Sequence, residues 1–490
     1  MNDAARRLVL PIGVVLLAAC LWGCAVGPNF KPPVTTAPSA WTGITERSAT
    51  QPSVATAKPV QLAAWWRTFN DPELTKLVER ALGANLDVQV AEARLRQARA
   101  ARGVIAGGLW PSVSGSLSYN RIHSPANGSA AVGGAGDHDL YQAGFDAVWE
   151  LDIFGGLRRN VEAANADIQA AQEGLRNAQV SLTAEVALNY IQLRGFQEQR
   201  VVAQENLKDQ QQTAAITRQK LMAGFVGTLD VANADAQVAM TESQIPLLQV
   251  SAQQAIYALS VLLAQPPSYL LKELSTTQSL PVTPPKVPIG LPSDLLRRRP
   301  DIREAEAQLH AATAQIGVAT ADLFPKFSLT GNIGWQSNLL QNWLTGPSQS
   351  SSFGPAMSWG ILQGGSIIAN IHQQRAIRDQ AYLTYRKTVL TAFQDVENAL
   401  FAYDKEWVHR RALSDAVAAS RKAVAVSVQL YRAGQTDFLN VLQAQATLYA
   451  SQNALVQSNS NVCQDLIALY KALGGGWKIS REDALARKAN

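Results

Sequence analysis

The chain of 490 residues has few cysteines and histidines and, after its N-terminal region, no long uninterrupted apolar run. It has three cysteines, and removal of an N-terminal signal peptide leaves Cys24 and Cys463, so no disulfide is expected within the mature chain. Five widely separated histidines lack the spacing of metal ligands, and neither a metal nor another cofactor is expected. No run of eighteen uninterrupted apolar residues follows the signal peptide, so a membrane would have to be crossed by strands.

Neither sign of charge dominates the sequence. The chain has 43 basic and 38 acidic residues, and its net charge of +5 is too mild and dispersed to indicate nucleic acid as a partner. The one basic run, 297–299, precedes a helical pattern and is interpreted as a charged helix start. Residues 128–133 have the glycine spacing of a phosphate loop without its Lys-Ser/Thr, and no nucleophile elbow is present, so an enzyme is not expected.

The N-terminus has the pattern of an exported protein. Two arginines, Arg6 and Arg7, precede an apolar run from Leu8 to Ala19, which is too short to span a membrane as a helix. Two cysteines, Cys20 and Cys24, then follow small residues in segments that both read as lipoprotein-processing sites. Either cysteine could be diacylated and become the first residue of a lipid-anchored protein. The alternative is a signal peptide that is merely cleaved.

The second half of the chain repeats the first, with a displacement of roughly 210 residues. Residues 91–95 return as 305–309, and the pair Gly224 and Leu229 returns as Gly434 and Leu439. Each copy predicts a helix, two strands and two long helices joined by a tight turn. The predicted organisation is a signal peptide (1–23), an N-terminal segment (24–72), two repeats (73–280 and 281–476) and a C-terminal tail (477–490).

The long helices carry apolar residues at alternating spacings of four and three, which is typical of coiled-coil seams. The predicted helix 157–222 contains no proline and would extend about 100 Å. Alanines in the seam permit close helix packing, and the uncharged polar residues of the opposite face suit a water-filled lumen. A plain extended coiled coil remains the alternative. The two seams are Leu157, Val161, Ala164, Ile168, Ala171, Leu175, Ala178 and Leu182, and Arg378, Tyr382, Tyr385, Val389, Ala392, Val396, Ala399 and Tyr403.

Four segments, 111–122, 140–154, 325–337 and 353–362, have the length and alternation of outer-membrane strands. Aromatic residues near their ends are placed as membrane girdles: Tyr119, Tyr141, Trp149, Trp335, Trp343 and Trp359. Four strands cannot close a barrel, and open edges in hydrocarbon leave backbone groups unpaired. Several chains must therefore share one barrel, and three chains would supply twelve strands.

Spaced motifs over nearly the whole mature chain resemble the TolC family of outer-membrane efflux proteins. Trp65-Trp66, Asp71-Pro72 and Asn85-Leu86-Asp87 resemble the family's N-terminal signature. Leu296–Arg303 looks like the signature that opens the second repeat, and Tyr431–Gly434 is similar to the family's second periplasmic tip. The start from Cys24 to Pro32 resembles the lipoprotein branch of the family. This likeness favours Cys24 as the lipid anchor.

The resemblance implies a mainly α-helical chain that forms a homotrimer, with a shared twelve-stranded β-barrel in the outer membrane and a long α-helical barrel in the periplasm. The implied function is a lipid-anchored exit duct for drugs or other small molecules, which works with a periplasmic adaptor and an inner-membrane transporter of the RND type. A type I protein-secretion duct is the close alternative, and a periplasmic coiled-coil scaffold is a further one. The cargo and the particular adaptor are not predicted.

The resemblance also places site residues at the two helix reversals. Leu439 is expected to form the apolar ring of a periplasmic gate, and Asn440 and Gln443 stand where the family has aspartates. An amide ring at this point would weaken cation binding compared with carboxylates. Adaptor docking is assigned to Gly224, Gly434, Asp230, Tyr431 and Arg432, with Arg432 as a partner for Asp230 in a lock between helices.

Overall fold

The structure is a computed structural model, and it describes residues 25–35, 37–38, 41, 53–55, 62–124, 136–283, 287–289 and 292–477. The predicted signal peptide (1–23) and the predicted lipid anchor Cys24 lie outside these ranges. The helices are α1 (Pro72–Ala84), α2 (Leu86–Gly107), α3 (Gly156–Met222), α4 (Thr228–Leu262), α5 (Leu271–Leu274), α6 (Pro292–Arg298), α7 (Pro300–Ala321), α8 (Ser366–Arg432) and α9 (Phe438–Ala472). The strands are β1 (Ser53–Ala55), β2 (Ser112–Ser124), β3 (Gly136–Leu151), β4 (Val287–Ile289), β5 (Lys326–Ser337) and β6 (Gln349–Ser358).

The helix lengths confirm the internal duplication. Helices α2 and α7 each have 22 residues, α3 and α8 each have 67, and α4 and α9 each have 35. The predicted helix 157–222 is α3, which begins one residue earlier. Both copies therefore run helix, strand, strand, long helix, long helix, as the sequence predicts.

The four long strands form one antiparallel sheet in the order β2-β3-β5-β6. Tyr119 pairs with Tyr141, Ala143 with Trp335, and Gly331 with Phe353. Strands β2 and β6 are the edges, and neither has a partner on its outer side among the described residues of one chain. The short strands β1 and β4 pair in parallel with each other.

The sheet has one apolar and one polar face. Val113, Leu117, Phe145, Ile333, Phe353 and Met357 lie at odd positions and are exposed. Serine, aspartate and asparagine occupy the even positions between them, including Ser112, Ser114, Ser116, Asp146, Asn332 and Ser352. Such alternation is that of a membrane strand with a lipid-facing and a lumen-facing side.

Aromatic residues mark both ends of the sheet. At the loop end, the ring centroids of Tyr119 and Tyr141 are 5.0 Å apart, and Trp343 lies 6.1 Å from Tyr141. At the helix end, the indole N–H of Trp149 donates to the carbonyl of Leu109 at 3.0 Å. In the second copy the indole N–H of Trp359 donates to the carbonyl of Leu323 at 3.1 Å. In both copies a tryptophan is therefore hydrogen-bonded to the end of the helix that precedes the strands, α2 or α7. Tyr141 and Trp149 are eight residues apart, about 26 Å along the strand, which is comparable to the apolar band of an outer-membrane barrel.

The motifs that carry the family resemblance serve as helix caps and core. Asp71 accepts the N–H groups of Glu73 and Leu74 at the start of α1, and its second oxygen accepts the Tyr190 hydroxyl at 2.7 Å. Burial and this bond raise the pKa of the Tyr190 hydroxyl. Asn85 caps α2 in the same way and also bonds the Leu262 carbonyl at 2.9 Å. Capping residues of this kind stabilise helices by roughly 1 kcal/mol each.

The described residues fall into two compact units, and each unit draws on both copies. The first, here called the strand unit, comprises the described parts of Met1–Val34, Arg94–Gln172 and Glu304–Arg386. The second, the helix unit, comprises those of Thr35–Ala93, Glu173–Arg303 and Lys387–Asn490. Both helix reversals lie in the helix unit. The two units therefore do not coincide with the two repeats.

One described helix, α4, is long and apolar enough to span a membrane by length and composition, and most of its apolar stretch is not buried in the single chain. Its buried residue Ala234, however, belongs to the apolar cluster at the helix reversals. Helix α4 is therefore interpreted as a helix of the reversal region.

Candidate functional site

Both long helix pairs reverse through the same backbone motif. Gly224, two residues after the end of α3, has φ +77°, and Gly434, two residues after the end of α8, has φ +73°. The N–H of Phe225 bonds the carbonyl of Lys220 at 2.9 Å, and the N–H of Gln435 bonds that of Leu430 at 2.9 Å. Together with the second bonds from Gly224 to Leu221 and from Gly434 to Tyr431, these are two Schellman motifs. The glycines are thus required by the turn, since a side chain is unfavourable at positive φ.

The two reversals share one apolar core. It consists of Ala214 and Ala234 from the first copy and Tyr431, Phe438 and Val441 from the second, all buried. Four helices, α3, α4, α8 and α9, therefore pack together at this end of the helix unit. The tip is a small four-helix bundle, and its two reversals are held together within one chain.

Tyr431 lies inside this core instead of at its surface. Its side chain is 2% exposed, its hydroxyl bonds Thr217 at 3.2 Å, and its ring lies 5.7 Å from that of Phe438. Burial raises the pKa of the Tyr431 hydroxyl, which the Thr217 bond partly offsets. The Tyr431 ring is therefore not on the surface of this chain: it joins α8 to α3, and a part for Tyr431 in docking stays a prediction.

Lys220 forms a second connection between the copies. Its ammonium donates to the Tyr431 carbonyl and lies 4.4 Å from the centroid of the Tyr431 ring. The carbonyl belongs to the last turn of α8, where the helix dipole favours a cation. Lys220 was not predicted as a site residue, although its place four residues before Gly224 in the predicted last turn of a helix was a usable signal.

The predicted lock between Asp230 and Arg432 is wrong for this structure. Asp230 lies in the first turn of α4, and its carboxylate accepts the N–H of Gly227 at 3.3 Å, so it caps its own helix. Among the described tip residues, Asp230 and Arg432 form no ion pair, and Arg432 is exposed at the end of α8. The ion pair across the first reversal instead joins Arg218 of α3 to Asp235 of α4. Both side chains are about half exposed, so the pair contributes about 0–1 kcal/mol.

The three predicted gate residues lie on one exposed face of α9. Leu439 is 65% exposed, and Asn440 and Gln443 are also exposed, whereas Phe438 and Val441 are buried in the core. The Asn440 amide donates to the Thr436 hydroxyl at 2.8 Å, which holds it in the first turn. The single chain thus presents one apolar and two amide side chains on the face that points away from its own core.

Leu229 is the counterpart of Leu439 in the first copy and is 71% exposed. The duplication identified this pairing in the sequence, but Leu229 was not placed among the site residues. Phe225 and Met222 beside it are also exposed, whereas the matching positions 435 and 432 hold Gln and Arg. The first reversal therefore has a more apolar surface than the second.

Polar bonds join α3 and α9 above the tip, at intervals of seven residues on α3 and of five and seven residues on α9. Gln199 bonds Gln457 at 3.1 Å, Asn206 bonds Gln452 at 2.7 Å, and Thr213 bonds Gln445 at 2.8 Å. These three contacts run in antiparallel register along the helix pair. Polar pairs within a seam specify register but stabilise it less than apolar packing. These bonds therefore help to fix the register of α3 against α9.

A different group of residues receives the N-terminal segment in the strand unit. Arg159, which is 5% exposed, donates to the carbonyl of Val26 at 3.1 Å and to the side chain of Asn29 at 2.6 Å. A Cβ on Gly317 would lie 2.8 Å from Arg159 and 2.9 Å from the Val26 carbonyl, so only glycine admits the segment. The equivalent Gly103 of the first copy has open space around it. Among the described residues, the second copy therefore has this seat and the equivalent position of the first copy does not.

The seat is completed by an acid and an aromatic stack. Glu162 accepts from Arg159 at 2.7 Å and contacts His310 at 3.0 Å, and Phe30 stacks on the His310 ring at 4.4 Å. Burial acts to raise the pKa of the Glu162 carboxyl, but the bonds from Arg159 and His310 hold it below its ordinary value. The segment from Ala25 to Lys31 is thus fixed along α7. Ala25 lies against Gly155, where β3 passes into α3.

The family model for the outer membrane efflux protein matches residues 77–265 and 291–475, which is more than half of the chain. The chain belongs to this family. Nodulation protein T of Rhizobium leguminosarum bv. trifolii is 31% identical over 473 residues, which cover 96% of this chain and 97% of that relative. The pyoverdine export outer membrane protein OpmQ of Pseudomonas aeruginosa is 32% identical over 479 residues, covering 96% and 98%. The solved outer-membrane channel OprN is 37% identical, with a TM-score of 0.85, and the match covers 93% of this chain and 100% of that one.

As a member of the outer membrane efflux protein family, the chain is an outer-membrane efflux channel that extends into the periplasm. Its fold is the predicted one, with four strands per chain in a barrel shared by a trimer and a long α-helical part. The family consists of efflux channels, which are not enzymes, and its members work with periplasmic adaptors and inner-membrane pumps. The shared barrel explains why β2 and β6 have open edges within one chain.

Proposed function

We propose that the chain is the exit duct of a tripartite efflux pump, driven by an RND-type inner-membrane transporter through a periplasmic adaptor. The observation that carries this proposal is the exposed face of Leu439, Asn440 and Gln443 above a buried four-helix core. A rigid core with one exposed apolar side chain per protomer suits a constriction, because three leucines that meet on a three-fold axis exclude water from a narrow pore. Asn440 and Gln443 would then form neutral amide rings at the periplasmic entrance.

The docking surface of the adaptor is assigned to the two reversals. Gly224 and Gly434 shape the turns, and Asp230 and Arg432 lie beside them. Tyr431 and Lys220 would support this surface, since both hold α8 against α3. Cargo is expected to be drugs or other small molecules, and a wide duct selects little among them.

The lipid anchor is assigned to Cys24. Ala25, the next residue, lies at the junction of β3 and α3, and the segment that follows is fixed by Arg159. An acyl chain on the residue before Ala25 would begin beside the membrane end of the sheet. Mass spectrometry of the mature N-terminus tests this assignment, and acylation of Cys20 would contradict it.

The gate is tested by Leu439→Ala in planar bilayers. We expect higher ion conductance than in the wild type, because a methyl group cannot close the space that a leucine side chain fills. Leu442→Ala, which removes the same atoms from a residue packed against the tip core, is the matched control. If Leu439→Ala trimers conduct as the wild type does, the constriction is not formed by Leu439.

A further inference from the structure

A cavity of about 560 Å³ opens in the strand unit between the N-terminal segment, α7 and α8. Its floor is formed by Leu309, Thr313 and Ile316, which follow one face of α7 and are buried. Its volume is within the range of sites for small ligands. The cavity is separate from the gate and from both helix reversals, which lie in the helix unit.

The rim of the cavity is basic. Lys31 comes from the N-terminal segment, and Arg375 and Arg378 come from α8, where they lie on the same face as Tyr382. None of the described residues that line the cavity is acidic. Arg378 is bonded to the exposed Asp379 at 3.0 Å, which offsets one of the three charges. A net positive rim over an apolar floor fits a ligand with an anionic head and an apolar body.

Two of these residues depart from the sequence-based expectation. Arg378 and Tyr382 occupy the first two positions of the seam predicted for the second copy, and a seam residue should be buried. The rest of that seam, from Tyr385 to Tyr403, is buried, but Arg378 and Tyr382 are exposed on the cavity. The seam is therefore exposed at Arg378 and Tyr382, which line the cavity beside the N-terminal segment.

The cavity lies at the depth of lipid headgroups. Trp359 is fastened to Leu323 at the helix end of the sheet, where the aromatic girdle lies. Thr320 and Ile316 line the cavity three and seven residues before Leu323, which is about 5 and 10 Å along a helix. The headgroup layer extends about 5–8 Å beyond the hydrocarbon on each side. The upper part of the cavity is thus beside the phosphates of the periplasm-facing leaflet.

We propose that this cavity binds the phosphate headgroup of an anionic phospholipid from that leaflet. Arg375 and Lys31 contact the phosphate, Arg378 adds charge at the rim, and the apolar floor receives the glycerol and the first methylenes. The Arg159 seat keeps Lys31 and Phe30 in place, so the wall of the site is complete only when the N-terminal segment is seated. The site holds one lipid per protomer and three per trimer.

The test is native mass spectrometry of detergent-extracted trimers titrated with phosphatidylglycerol or phosphatidylcholine. We expect the wild type to bind up to three phosphatidylglycerol molecules in preference to phosphatidylcholine. The double variant R375Q/R378Q should lose roughly 10-fold or more of this preference, since each basic residue near an anionic lipid contributes about a factor of five. Arg386→Gln, an exposed arginine further along α8 and outside the cavity lining, is the matched control and should bind as the wild type does.

The same spectra report whether the variant assembles, because they resolve trimer from monomer. If R375Q/R378Q does not form trimers, Lys31→Gln on the N-terminal segment tests the same rim. This variant should weaken the binding of phosphatidylglycerol and leave that of phosphatidylcholine unchanged. Equal binding of both lipids to the wild type, or unchanged binding by the assembled variant, would overturn the proposal. Full displacement of phosphatidylglycerol by millimolar inorganic phosphate would also overturn it, because the site would then take a soluble anion. A cavity filled by the neighbouring protomer or by the chain's own acyl anchor would show no lipid preference, and this result would also overturn the proposal.

Discussion

Ala264, just after α4, has a backbone conformation for which its counterpart in the second copy uses glycine. Its φ is +55°, and the N–H groups of Ala264 and Gln265 bond the carbonyls of Val261 and Ser260 at 2.8 and 3.0 Å. Gly474 has φ +68° and the same pair of bonds after α9. A non-glycine residue in this region is strained by its Cβ. The second copy therefore indicates that glycine is favoured at this position.

Ala264→Gly should stabilise the protein by about 0.5–1 kcal/mol, since relief of strain outweighs the added freedom of the unfolded chain. The thermal midpoint for dissociation of the detergent-solubilised trimer is the measurement, and we expect it to rise. Ala444→Gly, inside α9, makes the same chemical change without strain to relieve and should cost about 1 kcal/mol. Equal losses in both variants would show that Ala264 is not strained.

Asp465 on α9 is a second residue in an unfavourable environment, because its surroundings oppose the negative charge of its carboxylate. Burial, with a smaller contribution from Glu406, raises the pKa of its carboxyl to about 6. The folded protein then binds more protons than the unfolded chain between about pH 4 and 6, so stability falls as pH rises through this range. Asp465→Asn should flatten this dependence and raise the thermal midpoint of the trimer at pH 7.5. The exposed Asp415→Asn is the control, and an equal effect there would remove the assignment to Asp465.

At the scale of the elements, the alternation of the strands decides which side meets lipid. Phe145 lies midway between Tyr141 and Trp149 on the apolar face of β3, and Ser114 lies on the polar face of β2 opposite Asp146. Phe145→Arg should cost about 2–4 kcal/mol per chain and reduce the yield of trimers, because it exposes a charge at the middle of the hydrocarbon. Ser114→Arg should assemble normally and shift the ion selectivity of the channel. Normal assembly of Phe145→Arg would mean that the faces are assigned the wrong way round.

Element type and order could be predicted because each has a strong local pattern. The 3.5-residue period identified α3 to within one residue, and alternation with turn residues identified all four long strands. The last strand was placed at 353–362 but is Gln349–Ser358. The ladder with β5 extends to the pair of Trp335 with Gln349, and Trp359 leaves the strand because its indole is bonded to Leu323. Pairing partners and side-chain anchors of this kind have no local signature.

Interactions at the tip were harder to predict for the same reason. Gly224 and Gly434 were correctly expected to turn the chain, since positive φ has a strong residue preference. The sequence pairs Asp230 with Arg432 by charge alone, but an aspartate in the first turn of a helix already has a partner in the free N–H groups there. The burial of Tyr431 depends on Phe438 and Thr217 from two other helices. Such contacts are set by tertiary packing.

At the scale of the whole molecule, three-fold symmetry turns each exposed tip residue into a ring. The trimer has three copies of Gln443, which lies one helical turn beyond Leu439 on the same face of α9. An amide ring carries no net charge, so the entrance should discriminate weakly between cations and anions. A ring of three carboxylates concentrates negative potential on the axis and attracts divalent cations.

Gln443→Asp should therefore make the channel more cation-selective and its current sensitive to divalent cations, while trimer assembly is unchanged. Reversal potentials in asymmetric salt, followed by titration with Mg²⁺ on the periplasmic side, measure both effects. Gln429→Asp places the same charge on the exposed surface of α8 and is the matched control. If Gln429→Asp alters selectivity and Gln443→Asp does not, the pore axis passes the other helix of the tip. In that case the face formed by Leu439, Asn440 and Gln443 points away from the lumen, because a carboxylate that faces the axis cannot leave the permeating ions unaffected.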